Sequence, residues 1–520
     1  MRNAAVVSRR QFLGRLKTTL GGSALGLALA DRLGFADALA AIPIDRLRFG
    51  ALDPLVDLMQ ESAADELMSL LVAKLRSGTS LSDVVGAAAL ANARALGGTN
   101  YNGYHALMAM VPSFEMSSQM PAPFAALPVL KVVHRNARFV KEAGRSHDDA
   151  LATIDAAAGE PAAGGASAAG GSSLVESIRR FDLPQAEQAL ASQIARSKGQ
   201  AYEQIQSAVR DDANVHRVVL AWRAYDLLRF TGEQNALTML RQSVRFCIDE
   251  DGQRARRGQP APEIGAVVRK LVDDHGLNGR APGTRALDEK SIAELCDTIF
   301  GADGKSAAEA AAAALAEGID LESVGAAMSL AATRLLLHDP GRTDESPGKP
   351  RGSMHGASVG VHASDSANAW RHLARVGSAP TAFASLVAGA YHTAGQSRHV
   401  GAQPFDRNGE ACKRSDPAEL LREIEGRIRD RDQVRACLAT RRYCELGHGH
   451  PELFSLLLRF AVSEDGALHA EKYFRTAQDE HAAARPAHRA LYLVALTRVM
   501  ASSFGFPAPG HEETSRLLTA

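Results

Sequence analysis

Four histidines open apolar stretches of this chain, and they recur at matching places in its two halves. His105 and His362 each stand two residues after a glycine and match one another, while His216 matches His450. A duplicated fold repeats its buried pattern because both copies bury the same face, but it has no structural need to repeat histidines. Neutral imidazole is a good ligand for transition metals. We therefore predict that His105, His216, His362 and His450 bind one or two metal ions, with iron or copper favoured and zinc as the alternative.

Other polar residues lie near these histidines in the sequence. Asp365 shares a helical face with His362, so its carboxylate could accept the ring N–H and orient the imidazole. His355 lies in a glycine-rich segment that could bring the backbone close to a ligand. We assign His355 and Asp365 to catalysis, and we assign contact with the cofactor to Tyr104, Asn368 and His469. The local alternative is that each histidine only finishes its own helix start, with Asp365 complementing the helix dipole.

The elements that must position these side chains are predicted to be helices. Alanine and leucine outnumber valine, isoleucine and threonine, which favours helices over sheets. Helical periodicity runs through residues 54–76, 81–96, 104–110 and 122–143. Residues 81–94 align without a gap on residues 321–334, which indicates a tandem duplication. We predict an all-α bundle or solenoid whose halves are related by a pseudo-two-fold axis.

Composition divides the chain into five segments. Residues 42–250 form the first helical half, with a flexible Ala/Gly/Ser insertion at 156–173. A connector rich in Gly, Pro and charge spans 251–290, the second helical half spans 291–506, and a tail spans 507–520. The remaining segment, 1–41, is of another kind.

Residues 1–41 have the pattern of a twin-arginine export signal. The motif is Ser8-Arg9-Arg10-Gln11-Phe12-Leu13, followed by an apolar run over 20–30 and small residues over 36–40. That run is too short and too glycine-rich for a permanent membrane span. We therefore predict a bacterial periplasmic protein that meets the twin-arginine machinery. This route carries folded proteins, commonly ones already loaded with a cofactor, so it favours a tightly bound metal.

Charge and cysteine content narrow the function further. The 59 basic and 59 acidic side chains balance, so no global field attracts nucleic acid. Five cysteines are an odd number, so at least one thiol is unpaired or pairs between chains. The sequence has no P-loop and no HExxH motif, which disfavours nucleotide-dependent and zinc-protease chemistry.

Two stretches of the second half resemble units of the questin oxidase family. They read HASDSANAWRHLARV followed by FASLVAGAYHTAGQ, and NYNGYHALMAM at 100–110 and HAEKYFRTA with LYLVALTRV over 469–499 echo them. The resemblance implies a helical, histidine-rich oxidase, since the family's named member opens an anthraquinone ring by a Baeyer–Villiger-type oxidation. An exported protein would find no reduced nicotinamide outside the cytoplasm. A bound metal with oxygen or a respiratory partner fits the export signal better.

These observations lead to one main hypothesis and two alternatives. The main hypothesis is an exported oxidoreductase with a histidine-ligated metal between two helical halves, acting on a small-molecule substrate or with a redox partner. One alternative is a non-catalytic binding or scaffold protein with a concave helical surface. The other is a metal-free enzyme that uses histidine acid–base chemistry. Convergence of the histidine rings in space separates the first reading from the second.

Overall fold

Short polar residues cap the N-termini of many helices. Three of the four helices that carry His105, His216, His362 and His469 begin in this way. The side chains of Asn100, Asn214 and Ser358 accept hydrogen bonds from backbone N–H groups one turn into their helices. Such caps satisfy donors that have no partner inside the helix. These caps therefore determine where the helices begin, and so the position of each histidine along its helix axis.

A computed structural model describes residues 46–143, 149–154, 173–345, 349–354, 358–401, 403–405, 409–410 and 412–520. The export signal at 1–41, His355 and nearly all of the insertion at 156–173 lie outside the described residues. Residues Leu47–Ala520 form one compact unit, and the two predicted halves belong to it together.

The described residues of the first half contain eleven α-helices, numbered here in chain order. They are α1 (Asp53–Glu61), α2 (Ala64–Arg76), α3 (Leu81–Leu96), α4 (Tyr101–Ser117), α5 (Leu127–Ala143), α6 (Leu174–Arg179), α7 (Leu183–Arg196), α8 (Lys198–Val209), α9 (Val215–Asp226), α10 (Leu228–Thr231) and α11 (Ala236–Arg256).

The rest of the chain continues in the same way. Its helices are α12 (Ile264–Asp274), α13 (Glu289–Gly301), α14 (Gly304–Ala316), α15 (Leu321–His338), α16 (Val359–Val376), α17 (Ala379–Ala394), α18 (Pro417–Arg429), α19 (Gln433–Glu445), α20 (His450–Ser463), α21 (His469–Ala483), α22 (Arg489–Ser503) and α23 (His511–Thr519). Short 3-10 turns occur at Gly50–Leu52, Phe124–Ala126, Glu233–Asn235, Ser397–His399 and Pro486–His488.

The predicted all-α class is confirmed. Among the described residues, β-structure is limited to isolated bridges, such as Arg285 with Ile319 and Glu464 with Pro507. The predicted connector 251–290 contains a helix of its own, α12, and the tail contains α23, which packs on α2 and α5. No helix in the described part of the chain is both long and apolar enough to span a bilayer.

Four helices surround the centre of the molecule. Helices α4 and α16 each pack against both α9 and α21. Behind them, α3 and α5 support α4, and α15 and α17 support α16. On the other pair, α11 packs on α9 and α22 packs on α21. By these contacts α4 occupies a place like that of α16, and α9 a place like that of α21; common descent of the halves stays a prediction.

Small residues bring the supporting helices close to the central ones. The backbone of Gly360 in α16 lies against α15, where an added Cβ would stand 2.3 Å from the Cα of Leu336. In α4, a Cβ on Gly103 would stand 2.5 Å from the Cδ1 of Leu96 in α3. Gly103 and Gly360, which stand two residues before His105 and His362, are therefore packing residues that let two helices approach.

Both tryptophans of the chain lie on central helices. Trp222 of α9 stacks face to face on His372 of α16, with ring centroids 3.8 Å apart and an interplanar angle of 8°. Trp370 of α16 is fully buried and donates its indole N–H to Nδ1 of His392, at 3.2 Å.

Candidate metal centre

Four imidazole rings meet where the central helices begin. Ring centroids are 4.7 Å apart for His105 and His216, and 5.4 Å apart for His216 and His362. The distance is 5.3 Å for His362 and His469, and again 5.3 Å for His469 and His105. The four contacts close into a ring of four side chains, one each from α4, α9, α16 and α21. We call this group the histidine cluster.

Backbone carbonyls determine which nitrogen of two rings carries the proton. Nδ1 of His105 lies 2.7 Å from the carbonyl oxygen of Tyr101, and Nδ1 of His469 lies 3.1 Å from that of Ala467. A carbonyl oxygen only accepts, so each Nδ1 is the protonated donor. The lone pair of each ring is then on Nε2, the arrangement typical of a metal-binding histidine whose other nitrogen is held by a second hydrogen bond.

The nitrogen atoms are close enough to share an ion. The ligand atoms of His105, His216 and His469 all lie within 4.8 Å of one another. Nε2 of His362 lies 3.2 Å from Nε2 of His469. With metal–nitrogen bonds of 2.0–2.1 Å, two tetrahedral ligands stand about 3.3 Å apart. The His362–His469 pair has this separation, and because the lone pair of His469 is on Nε2, the Nε2–H of His362 donates to it. The nitrogens of His105, His216 and His469, which are up to 4.8 Å apart, need to approach by up to about 1.5 Å to share an ion.

Two of these nitrogens have no hydrogen-bond partner. Nε2 of His105 and Nε2 of His216 are buried and unpartnered in the structure. A buried polar atom without a partner costs about 1–3 kcal/mol. A metal ion would satisfy both atoms, so the residues present fit a metal.

Burial keeps the cluster uncharged. Desolvation lowers the pKa of His105, His216 and His469 far below the ordinary value, and it lowers the pKa of His362 to about 3. The charge of Lys472 acts in the same direction on all four rings. The rings are therefore neutral at pH 7, the form that binds metals.

Asp365 lies one turn below His362 and is buried, but its described hydrogen bond goes to Thr476. The Thr476 hydroxyl donates to Oδ1 of Asp365 at 2.8 Å. Burial raises the pKa of Asp365, while the charge of Lys472 and the Thr476 hydrogen bond oppose that shift. Asp365 thus belongs to the layer beneath the cluster, and its assignment to catalysis stays a prediction.

Aromatic rings flank the cluster on the side of α4. Tyr104 stacks on His105 with centroids 4.9 Å apart and lies 5.4 Å from His216. Tyr101, which the sequence reading left out, lies 4.4 Å from His105 and is 58% exposed. The cluster therefore has an aromatic contact that reaches solvent.

Asn368 serves a different network. Its amide donates to Glu480 at 2.7 Å, and Glu480 also pairs with Arg371, all three being buried. The structure therefore gives Asn368 a structural contact between α16 and α21. His355 lies outside the described residues, so its place is not among these contacts.

His450 does not join the cluster, and His469 stands in its place. Nδ1 of His450 lies 2.7 Å from Nε2 of His481. His481 is near the end of α21, whereas His469 begins it, and the twelve residues between them span about 18 Å of helix. The sequence alignment matched α9 to α20 because each of these helices has a histidine at its start. By packing, the partner of α9 is α21, so the cluster contains His469 where the sequence alignment expected His450, and the assignment of metal ligands stays a prediction.

Lys472 is a second residue of the site, after Tyr101, that sequence reasoning missed. It lies one turn after His469 on α21, is 3% exposed, and burial lowers its pKa to about 8. The spacing His469-Ala470-Glu471-Lys472 puts the lysine on the same helical face as the histidine. That signal was visible once His469 counted as a ligand.

Comparison with known proteins adds no relative. No protein-family model, no curated protein and no solved structure matches the chain. Function must therefore be argued from the site itself.

Proposed function

We propose that this protein is a metal-dependent oxidoreductase whose ion is bound by His105, His216, His362 and His469. The observation that carries the proposal is the convergence of these four neutral rings, two of them with unpartnered Nε2 atoms. Histidine-only donors suit copper, iron or zinc. Copper and iron are favoured because the redox reading also draws on the resemblance to oxidases.

Each part of the site has a role in this proposal. A bound copper or iron ion would supply one-electron redox chemistry and a Lewis acid. The carbonyls of Tyr101 and Ala467 hold two of the rings in the orientation that presents Nε2. Helix packing excludes water from His105 and His469, each 3% exposed. The substrate is a small molecule, and the exposed ring of Tyr101 marks the side from which it, or a redox partner, approaches.

The twin-arginine signal extends this proposal to location. Because the twin-arginine route exports folded proteins, the buried centre would receive its metal before translocation to the bacterial periplasm. Charge balance offers no attraction for nucleic acid, and we propose none as a partner.

Metal content tests the proposal directly. Protein purified from an exporting host without chelators should contain about one transition-metal ion per chain, measured by elemental analysis. His105→Ala and His469→Ala should lose this ion, whereas His450→Ala and His481→Ala, a matched pair away from the cluster, should keep it. A metal-free protein that binds neither Cu²⁺, Fe²⁺, Co²⁺ nor Zn²⁺ on titration would overturn the proposal.

A further inference from the structure

Four buried side chains stand one helical turn beyond the histidines of the cluster, and we call them the second layer. Each central helix contributes the residue three positions after its histidine, which falls on the same face. All four are buried: Met108 on α4, Val219 on α9, Asp365 on α16 and Lys472 on α21. Two members of the layer are apolar, and the other two carry opposite charges.

Lys472 is buried on the same face of α21 as His469. Helical side chains lean toward the N-terminus of their helix, so the lysine stem extends toward the level of His469. In agreement with this geometry, the charge of Lys472 acts on all four imidazoles. The charged groups that act on Lys472 itself are Asp365, Glu471 and Arg223.

The charged side chains around the site balance one another in pairs, so a bound metal ion would leave net positive charge there. Asp365 balances Lys472, and Glu471 lies 2.6 Å from the ammonium of Lys131. Arg223 lies 3.5 Å from Asp226. The four imidazoles are neutral, so a divalent ion bound to them would add two charges inside a buried site, which is costly without compensation. The N-terminal ends of α4, α9, α16 and α21 add further positive potential.

Resting on the proposed function, we propose that the substrate binds as an oxygen anion at a fifth coordination position of the metal, beside the four imidazoles, and that Lys472 donates a hydrogen bond to it. The substrate class is a carboxylate, an enolate or a phenolate. A charge-assisted hydrogen bond in a buried site should raise affinity by about 10- to 100-fold, which corresponds to about 1.4–2.8 kcal/mol. Lys472 is thus a binding residue that selects anionic substrates.

The test uses the full chain loaded with Co²⁺, whose visible absorption reports changes in its ligands. Azide serves as a small anionic probe and benzoate as a carboxylate of substrate size. Lys472→Met should weaken binding of both by about 10- to 100-fold, while Co²⁺ affinity stays equal or rises because a positive charge is gone. Asp365→Asn should instead strengthen binding of both, because it leaves Lys472 without its carboxylate. A purely structural role would shift both variants in the same direction.

The outcomes separate this inference from the proposed function. Failure of Co²⁺ to bind the wild-type chain would remove the metal centre and the inference with it. Normal Co²⁺ binding with equal azide and benzoate affinity in wild type and Lys472→Met would overturn the role of Lys472 alone. Azide binding without benzoate binding would overturn the substrate class. The double variant Lys472→Met/Asp365→Asn removes both charges and controls for an unpaired Asp365.

Discussion

Burial determines the protonation state of the central imidazoles, and this controls how the protein responds to acid. An unfolded histidine titrates near pH 6.5. The folded His362 stays neutral until its pKa of about 3, because desolvation disfavours the imidazolium form. Protons therefore bind the unfolded chain before they bind the native one, and stability is lost as the pH falls below 6.5.

We predict that acid destabilises the protein in a histidine-dependent way. The contribution of the buried neutral histidines to the free energy of unfolding should be constant above about pH 6.5 and fall by about 1.4 kcal/mol per pH unit for each of them as the pH drops toward 4. Urea unfolding of His362→Gln should show a slope smaller by about that amount. His399→Gln, which replaces an exposed histidine, provides the control. Equal slopes in all three proteins would contradict the assignment.

Asn368 allows a second prediction at the scale of the residue. Asn368→Ala removes a buried hydrogen bond to Glu480, so it should lower the free energy of unfolding by about 1–3 kcal/mol. Co²⁺ affinity should stay within about threefold of wild type, since a change of roughly 0.6 kcal/mol is the most a distant contact should transmit. Loss of Co²⁺ binding with unchanged stability would restore Asn368 as a cofactor contact.

At this scale the sequence predicts residue types better than partners. Repetition of His105 and His362 was visible because each follows a glycine at a helix start. His469 was assigned to contact with the cofactor and not to the set of metal ligands. The reason is that α20 begins with His450, and the sequence alignment matched His450 to His216. Lys472 carries no motif beyond its spacing from His469, which puts both residues on one face of α21, and the packing of α21 against α4 and α16 turns α21 toward the central helices.

Helix starts rather than helix interiors position the cluster. His105, His216, His362 and His469 all stand within the first five residues of their helices. The glycines at 103 and 360 set how closely these starts approach the helices behind them. Changes at the glycines should therefore move rings that they do not touch.

We predict that Gly360→Ala is more damaging than Gly103→Ala. The added methyl group at 360 meets the backbone of Leu336, which cannot rotate away, whereas at 103 it meets the end of a leucine side chain. Overpacking of this kind costs about 1–3 kcal/mol in general, and Gly360→Ala should lie at or above the upper end. Thermal unfolding with Co²⁺ titration provides the measurement. Gly426→Ala, where the new methyl group meets nothing within 4 Å, is the control.

Composition and periodicity predicted that this chain forms helices, and several predicted helix bounds lie close to those in the structure. The predicted helix over 81–96 coincides with α3, because Ser80 caps it and Gly97 ends it in the left-handed region. The predicted helix over 104–110 is longer in the structure, Tyr101–Ser117, since Pro112 is accommodated inside it. The predicted stretch 54–76 is two helices, because the chain is extended at Ser62 and Ala63.

On the scale of the whole molecule, the five thiols are all free. Cys247, Cys296 and Cys437 are buried, and Cys412 and Cys444 are partly buried. Burial raises the pKa of Cys444 to about 12, so its thiolate is scarce at neutral pH. The odd cysteine count predicted at least one unpaired thiol, and the structure contains five.

We therefore predict that reductant leaves the melting temperature unchanged. A thiol reagent such as DTNB at pH 8 should label Cys412 first in the native protein and all five cysteines after denaturation without reductant. Cys412→Ser should abolish the fast labelling. Fewer than five reactive thiols in the denatured chain would show a disulfide and contradict this prediction.

The placement of the two tryptophans gives the protein a built-in optical reporter. Trp222 stands six residues beyond His216, and Trp370 eight beyond His362, so each indole is about 9–12 Å along the helix from a ring of the cluster. An open-shell ion such as Cu²⁺ at that range should quench the emission of both indoles, whereas closed-shell Zn²⁺ should leave it bright. Fluorescence of the untouched chain can thus follow occupancy of the centre and distinguish the kind of ion, with no label attached.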